Sequence, residues 1–178
     1  MSIHKLYLRL LVVVLLLSPV LWLTLSDEGQ RTADLLLLKF SGDPDIALDF
    51  DALSTTATEA GLRKGIPGAE FDCKDQRSDF GTRICYAPIA SFNGNPARYV
   101  TFFFGPGGLR AAKVAYRHAY HDRIVQQLGA TLGRPARPAG ADGGVLQWTA
   151  AGGVVVLSEK EPADSRSAAL MWLAGEAG

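Results

Sequence analysis

The chain has 178 residues, of which 48% are hydrophobic and 20% charged, with 18 basic and 18 acidic side chains. This composition excludes wholesale disorder, which requires low hydrophobicity and high net charge. Every acidic residue lies at or after Asp27, and two of the 18 basic residues precede it, which leaves 16 basic and 18 acidic side chains in the rest. A slightly acidic domain lacks the basic surface that nonspecific nucleic-acid binding needs, so we expect no nucleic-acid partner.

The N-terminal segment contains an apolar run from Leu6 to Leu25, which is most continuous from Leu10 onward. Its length is about the 20 residues that a helix needs to cross the hydrocarbon core of a bilayer. A buried core helix would keep one polar face, and this run has none. The run therefore predicts a single transmembrane helix, marked by these three leucines.

Charges flanking the run predict its orientation. Lys5 and Arg9 lie on its leading side and acidic residues follow it. The positive-inside rule then places the N-terminus in the cytoplasm and the C-terminal part outside, as in a signal-anchor of the plasma (bacterial inner) membrane. A cleavable signal peptide is the alternative, because Thr24 and Ser26 offer small residues for cleavage. We expect residues 27–178 to leave the cytoplasm in either case.

Three parts of the chain follow from this interpretation. Residues 1–26 form the cytoplasmic stub and transmembrane signal-anchor, and residues 27–44 a juxtamembrane linker. Residues 45–178 form the extracytoplasmic domain, which is large enough to have a core of its own.

The two cysteines, Cys73 and Cys85, both lie in the predicted exported part. They bracket a polar segment between two short apolar runs, which is typical of a hairpin. Exported proteins form disulfides, so a bridge that joins the two arms is the favoured interpretation. A redox-active pair usually has two residues between its cysteines, and these two are much further apart. A zinc site would need two more ligands, and no histidine flanks either cysteine.

The region before the hairpin begins with Leu35–Leu38, an apolar stretch that fits a first strand or the end of a stalk. Residues 46–53 alternate apolar and polar side chains, which predicts a half-buried strand. Thr56 and Glu59 form a capping-box pattern, so we expect a short helix from there to about Lys64.

The middle of the chain is rich in β-branched and aromatic residues. Four strands are predicted there: residues 69–74, 82–87, 97–104 and 109–116. Phe102–Phe104 are expected at the centre of the sheet. Apolar residues at helical spacing then predict one long helix from about His118 to Leu132.

The last part of the chain contains a hairpin, residues 145–150 and 153–158, and a final element at Ala168–Ala174, for which a strand is favoured over a short helix. The order strand–helix–three strands thus occurs twice. We predict an α+β fold in which an antiparallel sheet of about six to eight strands, arranged as two β-α-β-β-β halves, is covered by one long and one short helix. In element order alone it resembles small exported α+β domains such as the β-lactamase inhibitor proteins.

Candidate chemistry is confined to His118, His121 and Asp122. Histidines three residues apart on a helix can share a metal ion with a carboxylate. His121 also lies at the edge of the apolar stripe, where a packing role is ordinary, and spacing places no further ligand nearby. No serine lies in a nucleophile elbow. The sequence therefore predicts no catalytic residue, no metal and no cofactor.

Two functions remain at this stage. The first is a membrane-tethered accessory or protein-interaction module with an envelope protein as partner, in which Phe92, Tyr99, Trp148 or Trp172 could line an available face. The second is a small-ligand or metal-binding protein, or an enzyme, that uses a groove near His118 and His121. A deep pocket that encloses the histidines would favour the second.

Overall fold

The computed structural model describes residues 11–19, 21–22, 26–40, 42–138 and 144–175. The chain divides into two compact units, residues 1–37 and 38–178. This division falls inside the segment predicted as a linker. The predicted boundaries at residues 26 and 44 stay predictions.

The first unit contains helical segments at residues 11–19 and 21–22, followed by helix α1, Asp27–Lys39, which runs past the boundary. Ser26 caps α1, because its Oγ accepts a hydrogen bond from the Gly29 amide at 3.0 Å. Leu35–Leu38 lies within α1, so the alternative of a first strand there is wrong.

The predicted transmembrane helix falls largely on this unit. Leu6, Leu10 and Leu25, which mark it, lie outside the described residues. Among the helices of the described ranges, none is long and apolar enough to cross a bilayer.

The second unit is a mixed α+β domain, as predicted. Its described residues contain helices α2 (Glu59–Gly65) and α3 (His121–Leu132), the latter preceded by a 3-10 turn at His118–Tyr120. They also form one nine-stranded sheet. The strands are β1 (Asp45–Ile46), β2 (Asp72–Ser78), β3 (Gly81–Pro88), β4 (Ser91–Phe92), β5 (Asn95–Gly105), β6 (Gly108–Tyr116), β7 (Val145–Ala150), β8 (Gly153–Ser158) and β9 (Ala169–Ala174).

Strand β6 lies in the middle of the sheet, whose main order is β2-β3-β5-β6-β9-β8-β7. A three-stranded antiparallel group therefore flanks β6 on each side. Strand β4 pairs with the first residues of β5, and β1 pairs with β4 as the one parallel pair in the described sheet. The predicted order of two strand–helix–three-strand sets is found, with β4 as an added strand.

Strand β4 arises from a tight turn at Asn93 and Gly94, which have φ values of 47° and 75°. Positive φ at both central residues of a two-residue loop is the geometry that favours Asn-Gly, and it joins two strands directly. The sheet therefore has nine strands rather than the six to eight predicted.

One face of the sheet carries the core. Alternate β5 residues, Val100 and Phe102 among them, are fully buried, and both tryptophans of this domain are at most 1% exposed. Helix α2 packs against this core through Leu62, and α3 through Ile124 and Leu128. Both helices thus lie on the same face of the sheet.

The segment 46–53 follows the predicted burial up to Phe50 but not at Ala52, which is exposed while Leu53 is buried, and it does not form the predicted strand. Ile46, Leu48 and Phe50 are buried at alternate positions, yet β1 ends at Ile46. The Asn93 side chain takes the place of a neighbouring strand: its Oδ1 accepts from the Leu48 amide at 2.9 Å and its Nδ2 donates to the Leu48 carbonyl at 3.0 Å. An amide side chain carries one donor and one acceptor group, so it satisfies the backbone as a strand would.

Helix α2 begins later than the capping-box pattern predicted. Thr58 caps it, with Oγ1 accepting from the Gly61 amide at 3.2 Å, so the assignment of Thr56 to that role is wrong. Glu59 does not complete a capping box, because its carboxylate pairs with Arg63 at 3.0 Å and with Arg83 of β3 at 2.7 Å. The cross-element ion pair takes the carboxylate that a capping box would have used.

Candidate functional site

The residues considered for a metal site are separated by the fold. His118 places its Nδ1 at 3.0 Å from the Ser165 hydroxyl and is half-buried. His121 is 1% exposed, and Asp122 is exposed. Among the described residues, these three do not bring their ligand atoms within 4.8 Å of one another.

His121 packs inside the core against Tyr116. Its Nδ1 lies 2.7 Å from the Tyr116 hydroxyl, and both residues are at most 1% exposed. Burial raises the pKa of the Tyr116 hydroxyl well above its ordinary value, with a smaller contribution from the negative charge of Glu161, so this hydroxyl stays protonated, and the imidazole tautomer decides which group donates. An imidazole closed off in this way has no route to a ligand from solvent.

The one group of three potential metal ligands that the described residues bring within 4.8 Å is Glu59, Cys73 and Cys85. The two sulfurs are joined in a disulfide, which confirms the predicted bridge, and directly opposed residues of β2 and β3 carry them. A disulfide sulfur is not the thiolate that binds zinc, so this group is not a metal site.

Glu59 belongs to a surface ion cluster beside the bridge. The Arg83 guanidinium, hydrogen-bonded to it, holds the pKa of this carboxyl below its ordinary value of 4.5; burial opposes this shift, and Arg63 lowers the pKa further. Arg83 also pairs with Asp75 of β2 at 2.8 Å. The cluster connects helix α2 to the hairpin and leaves no free charge for a ligand.

A groove of about 430 Å³ lies between α3 and the segment that follows β1. Its lining residue Gln127 donates to the Asn93 backbone carbonyl at 3.1 Å and accepts from the Asn95 side-chain amide at 2.6 Å. Leu48 and Phe50 line the groove together with Asp49 and Asp51, whose carboxylates accept from the backbone amides of Asp51 and Ala151, whereas His118, Tyr120 and His121 do not border it. The histidine groove expected for a ligand binder is therefore not this one.

The sheet face opposite the core is a further candidate. Cross-strand pairing aligns its side chains in three rows over β3, β5, β6, β9 and β8. We call this surface the open face. Its rows are Ile84, Phe103, Ala111, Leu173 and Val154; Tyr86, Thr101, Lys113, Met171 and Val156; and Pro88, Tyr99, Ala115 and Ala169.

The larger side chains of the open face are apolar and remain partly accessible to solvent. Phe103, Met171 and Leu173 are half-buried, and Tyr86 is 42% exposed. Tyr86 and Tyr99 pack with ring centroids 5.2 Å apart. The largest apolar patch on a typical soluble monomer covers about 300–600 Å² and often has a function.

Lys113 is the one charged residue of the three rows. It lies on the central strand β6 and pairs with Thr101 on one side and Met171 on the other, so it occupies the middle of the open face. Within the described parts of the chain it has no ion pair and no hydrogen bond from its side chain. The ammonium group is therefore unpaired among the residues that the structure describes.

Sequence reasoning named four aromatics as candidates for an available face, and one of them lies there. Tyr99 belongs to the open face, whereas Phe92, Trp148 and Trp172 are at most 1% exposed and form core. The main side chains of the face were missed. The signal that could have found them is strand alternation, because Phe103 must point away from the buried Phe102.

Comparisons with known proteins give no match from which a function could be inferred. The chain matches no family model, no curated protein and no solved structure. The likeness in element order to small exported α+β domains is therefore not accompanied by a structural match, and the function is proposed from the chain's own residues.

Proposed function

We propose that the chain is a membrane-anchored, extracytoplasmic accessory module that binds another envelope protein through its open face. The observation that carries this proposal is an apolar sheet face, five strands wide, that stays accessible while the opposite face holds a complete core. Helices α2 and α3 both pack on the core face and contribute nothing to the open one.

The sheet edges favour the open face over strand addition as the place of binding. Strand β2 at one edge has the sequence DCKDQRS and no fully buried residue, and charged edges resist pairing with another chain. Strand β7 at the other edge is partly covered by Ala136, which forms a bridge with Gln147. The open face therefore offers apolar surface to a partner, whereas the backbone groups at the sheet edges are protected from pairing with another strand.

The size of the open face indicates what kind of complex it can form. With strands about 4.8 Å apart and alternate residues about 6.8 Å apart, the three rows cover roughly 450 Å². This compares with about 800 Å² per partner in a stable complex of standard size. Binding through this face alone is expected to be weak, and a shared membrane would strengthen it by raising the effective concentration.

Two features of the chain support the location. The apolar run at residues 6–25 has the length and flanking charges of a signal-anchor with its C-terminal side outside. The Cys73–Cys85 disulfide fits an oxidising compartment, because cytosolic thiols are normally kept reduced.

A topology reporter tests the location. Alkaline phosphatase fused after residue 178 of the full chain is expected to be active, because it folds only where disulfides form, whereas a fluorescent protein that fails to mature after export should stay dark. Carbonate extraction should leave the chain in the membrane. Activity of the fluorescent protein alone would place the domain in the cytoplasm and overturn this part of the proposal.

Site-specific photocrosslinking tests the interaction. The full chain is produced in its native membrane with p-benzoylphenylalanine in place of Phe103 or Tyr99, and in place of exposed Gln126 on helix α3 as a matched control. A discrete protein adduct is expected from both open-face positions and not from the control. Leu173→Thr, which keeps β-propensity but removes apolar surface, should weaken that adduct. Equal adducts from all three positions, or none from the face, would overturn the proposal.

A further inference from the structure

We infer that the partner presents a carboxylate within an otherwise apolar surface and that Lys113 pairs with this carboxylate; the inference rests on the proposed function of the open face. Lys113 is half-buried at the centre of that face and makes no ion pair with the described residues. A partner that covered it without an opposite charge would strip water from the ammonium group at a large cost. Only a charged or strongly polar acceptor at this position makes the centre of the face a favourable place to bind.

The neighbours of Lys113 surround it with small and apolar side chains. Thr101 is opposite it on β5, and Ala111 and Ala115 precede and follow it on the same face of β6. These three are short side chains and at most 8% exposed, whereas Met171, opposite Lys113 on β9, is longer and half-buried. A partner side chain can therefore approach the ammonium group between apolar neighbours, where a low dielectric strengthens the pair and water is excluded.

A second copy of this chain fits the face poorly. Because Lys113 lies at the centre, a twofold axis through the face would bring the two ammonium groups towards each other, and like charges at close range are repelled. The surface buried by two copies, roughly 900 Å² in total, would also fall short of the 1,200 Å² or more of stable interfaces.

A lipid surface fits no better. Attraction to anionic lipids is built from several basic residues, each contributing about 1 kcal/mol. Lys113 lies within the three rows, Arg98 lies over the ring of Tyr99 beside them, and Lys74 on the adjoining strand β2 is paired with Asp72 at 2.7 Å. These are fewer than the cluster of basic residues that anionic lipids attract. A protein surface with a single carboxylate supplies the counter-charge that Lys113 lacks.

The test uses three substitutions at Lys113 in the full chain in its native membrane, each combined with p-benzoylphenylalanine in place of Phe103 as the probe. Lys113→Arg keeps the charge, Lys113→Met keeps the length and removes the charge, and Lys113→Glu reverses it. Retained melting temperature shows that each variant is folded. We expect the protein adduct to persist with Arg, to fall by about tenfold or more with Met, since the partner's carboxylate is left unpaired, and to vanish with Glu.

Each result distinguishes a carboxylate-bearing protein partner from the alternatives. An adduct that is unchanged or stronger with Lys113→Met would overturn the carboxylate partner while leaving the interaction function standing. An adduct with twice the mass of the chain would mean a second copy, and lipid adducts alone would mean a membrane surface; either overturns the inference. No adduct from any open-face position would overturn the proposed function together with the inference.

Discussion

Reduction of the Cys73–Cys85 bridge is expected to destabilise the α+β domain strongly. The two residues are separated by 12 positions, and closing a loop of that size lowers the entropy of the unfolded chain by about 9.5 cal/mol/K, or about 3 kcal/mol at 25 °C. For a protein of this length, each kcal/mol lowers the melting temperature by about 2–4 °C, so reduction should lower it by roughly 6–12 °C.

The assay is thermal unfolding of the full chain in a non-ionic detergent, with and without reductant. Trp148 and Trp172 are both buried in the core, so their fluorescence reports loss of the domain rather than of the N-terminal helices. The matched control is the double variant Cys73→Ala/Cys85→Ala, which should already melt low and should not respond to reductant. A wild-type shift below about 2 °C, or the same response in the control, would refute the chain-entropy reasoning.

Two further predictions concern local interactions. Asn93→Ala should lower the free energy of unfolding, measured by chemical denaturation, by about 2–4 kcal/mol, because the Leu48 amide and carbonyl lose their partners and alanine tolerates a φ of 47° poorly. Asn93→Gly should recover the part of this loss that comes from the backbone conformation. Equal losses in both variants would contradict this account. Because the Glu59 pKa is depressed in the folded state, its carboxylate stabilises the domain above about pH 4.5 and this stability is lost as pH falls through the depressed value. Wild-type and Glu59→Gln stability curves should therefore converge below that pH, and a constant difference from pH 7 to pH 3 would count against the Glu59–Arg83 pair.

Local patterns explain why most elements could be predicted from the sequence. The hairpin at residues 145–158 and the final strand have the predicted bounds within one residue, because short runs of β-branched and apolar residues are punctuated there by glycine. The pattern over residues 46–53 predicted burial correctly at Ile46, Leu48 and Phe50 and pairing wrongly. Its partner is a side chain, Asn93, that lies far along the chain, and no local signal marks such a contact.

Which side of the sheet remains uncovered could not be predicted, for a related reason. Strands β5, β6 and β9 are apolar at successive positions, as at Val100–Phe104, and such runs normally mean that a strand is covered on both faces. Which face stays uncovered depends on where α2 and α3 pack, and that follows from long-range contacts. The sequence pattern therefore indicates strands covered on both faces, and the structure shows that helices α2 and α3 cover only one of them.

The small area of the open face is consistent with the predicted membrane anchor. A surface of roughly 450 Å² is too small to hold a partner firmly from solution, yet two proteins confined to one membrane meet at a far higher effective concentration. Weak association then suffices, and a central Lys113 adds selectivity because partners without a matching carboxylate must bury an unpaired charge. It follows that cutting the chain free of its N-terminal helix should abolish the photocrosslink from Phe103 at native abundance while leaving the domain folded. An undiminished crosslink from such a released domain would show that the face binds tightly by itself and that the anchor has another purpose.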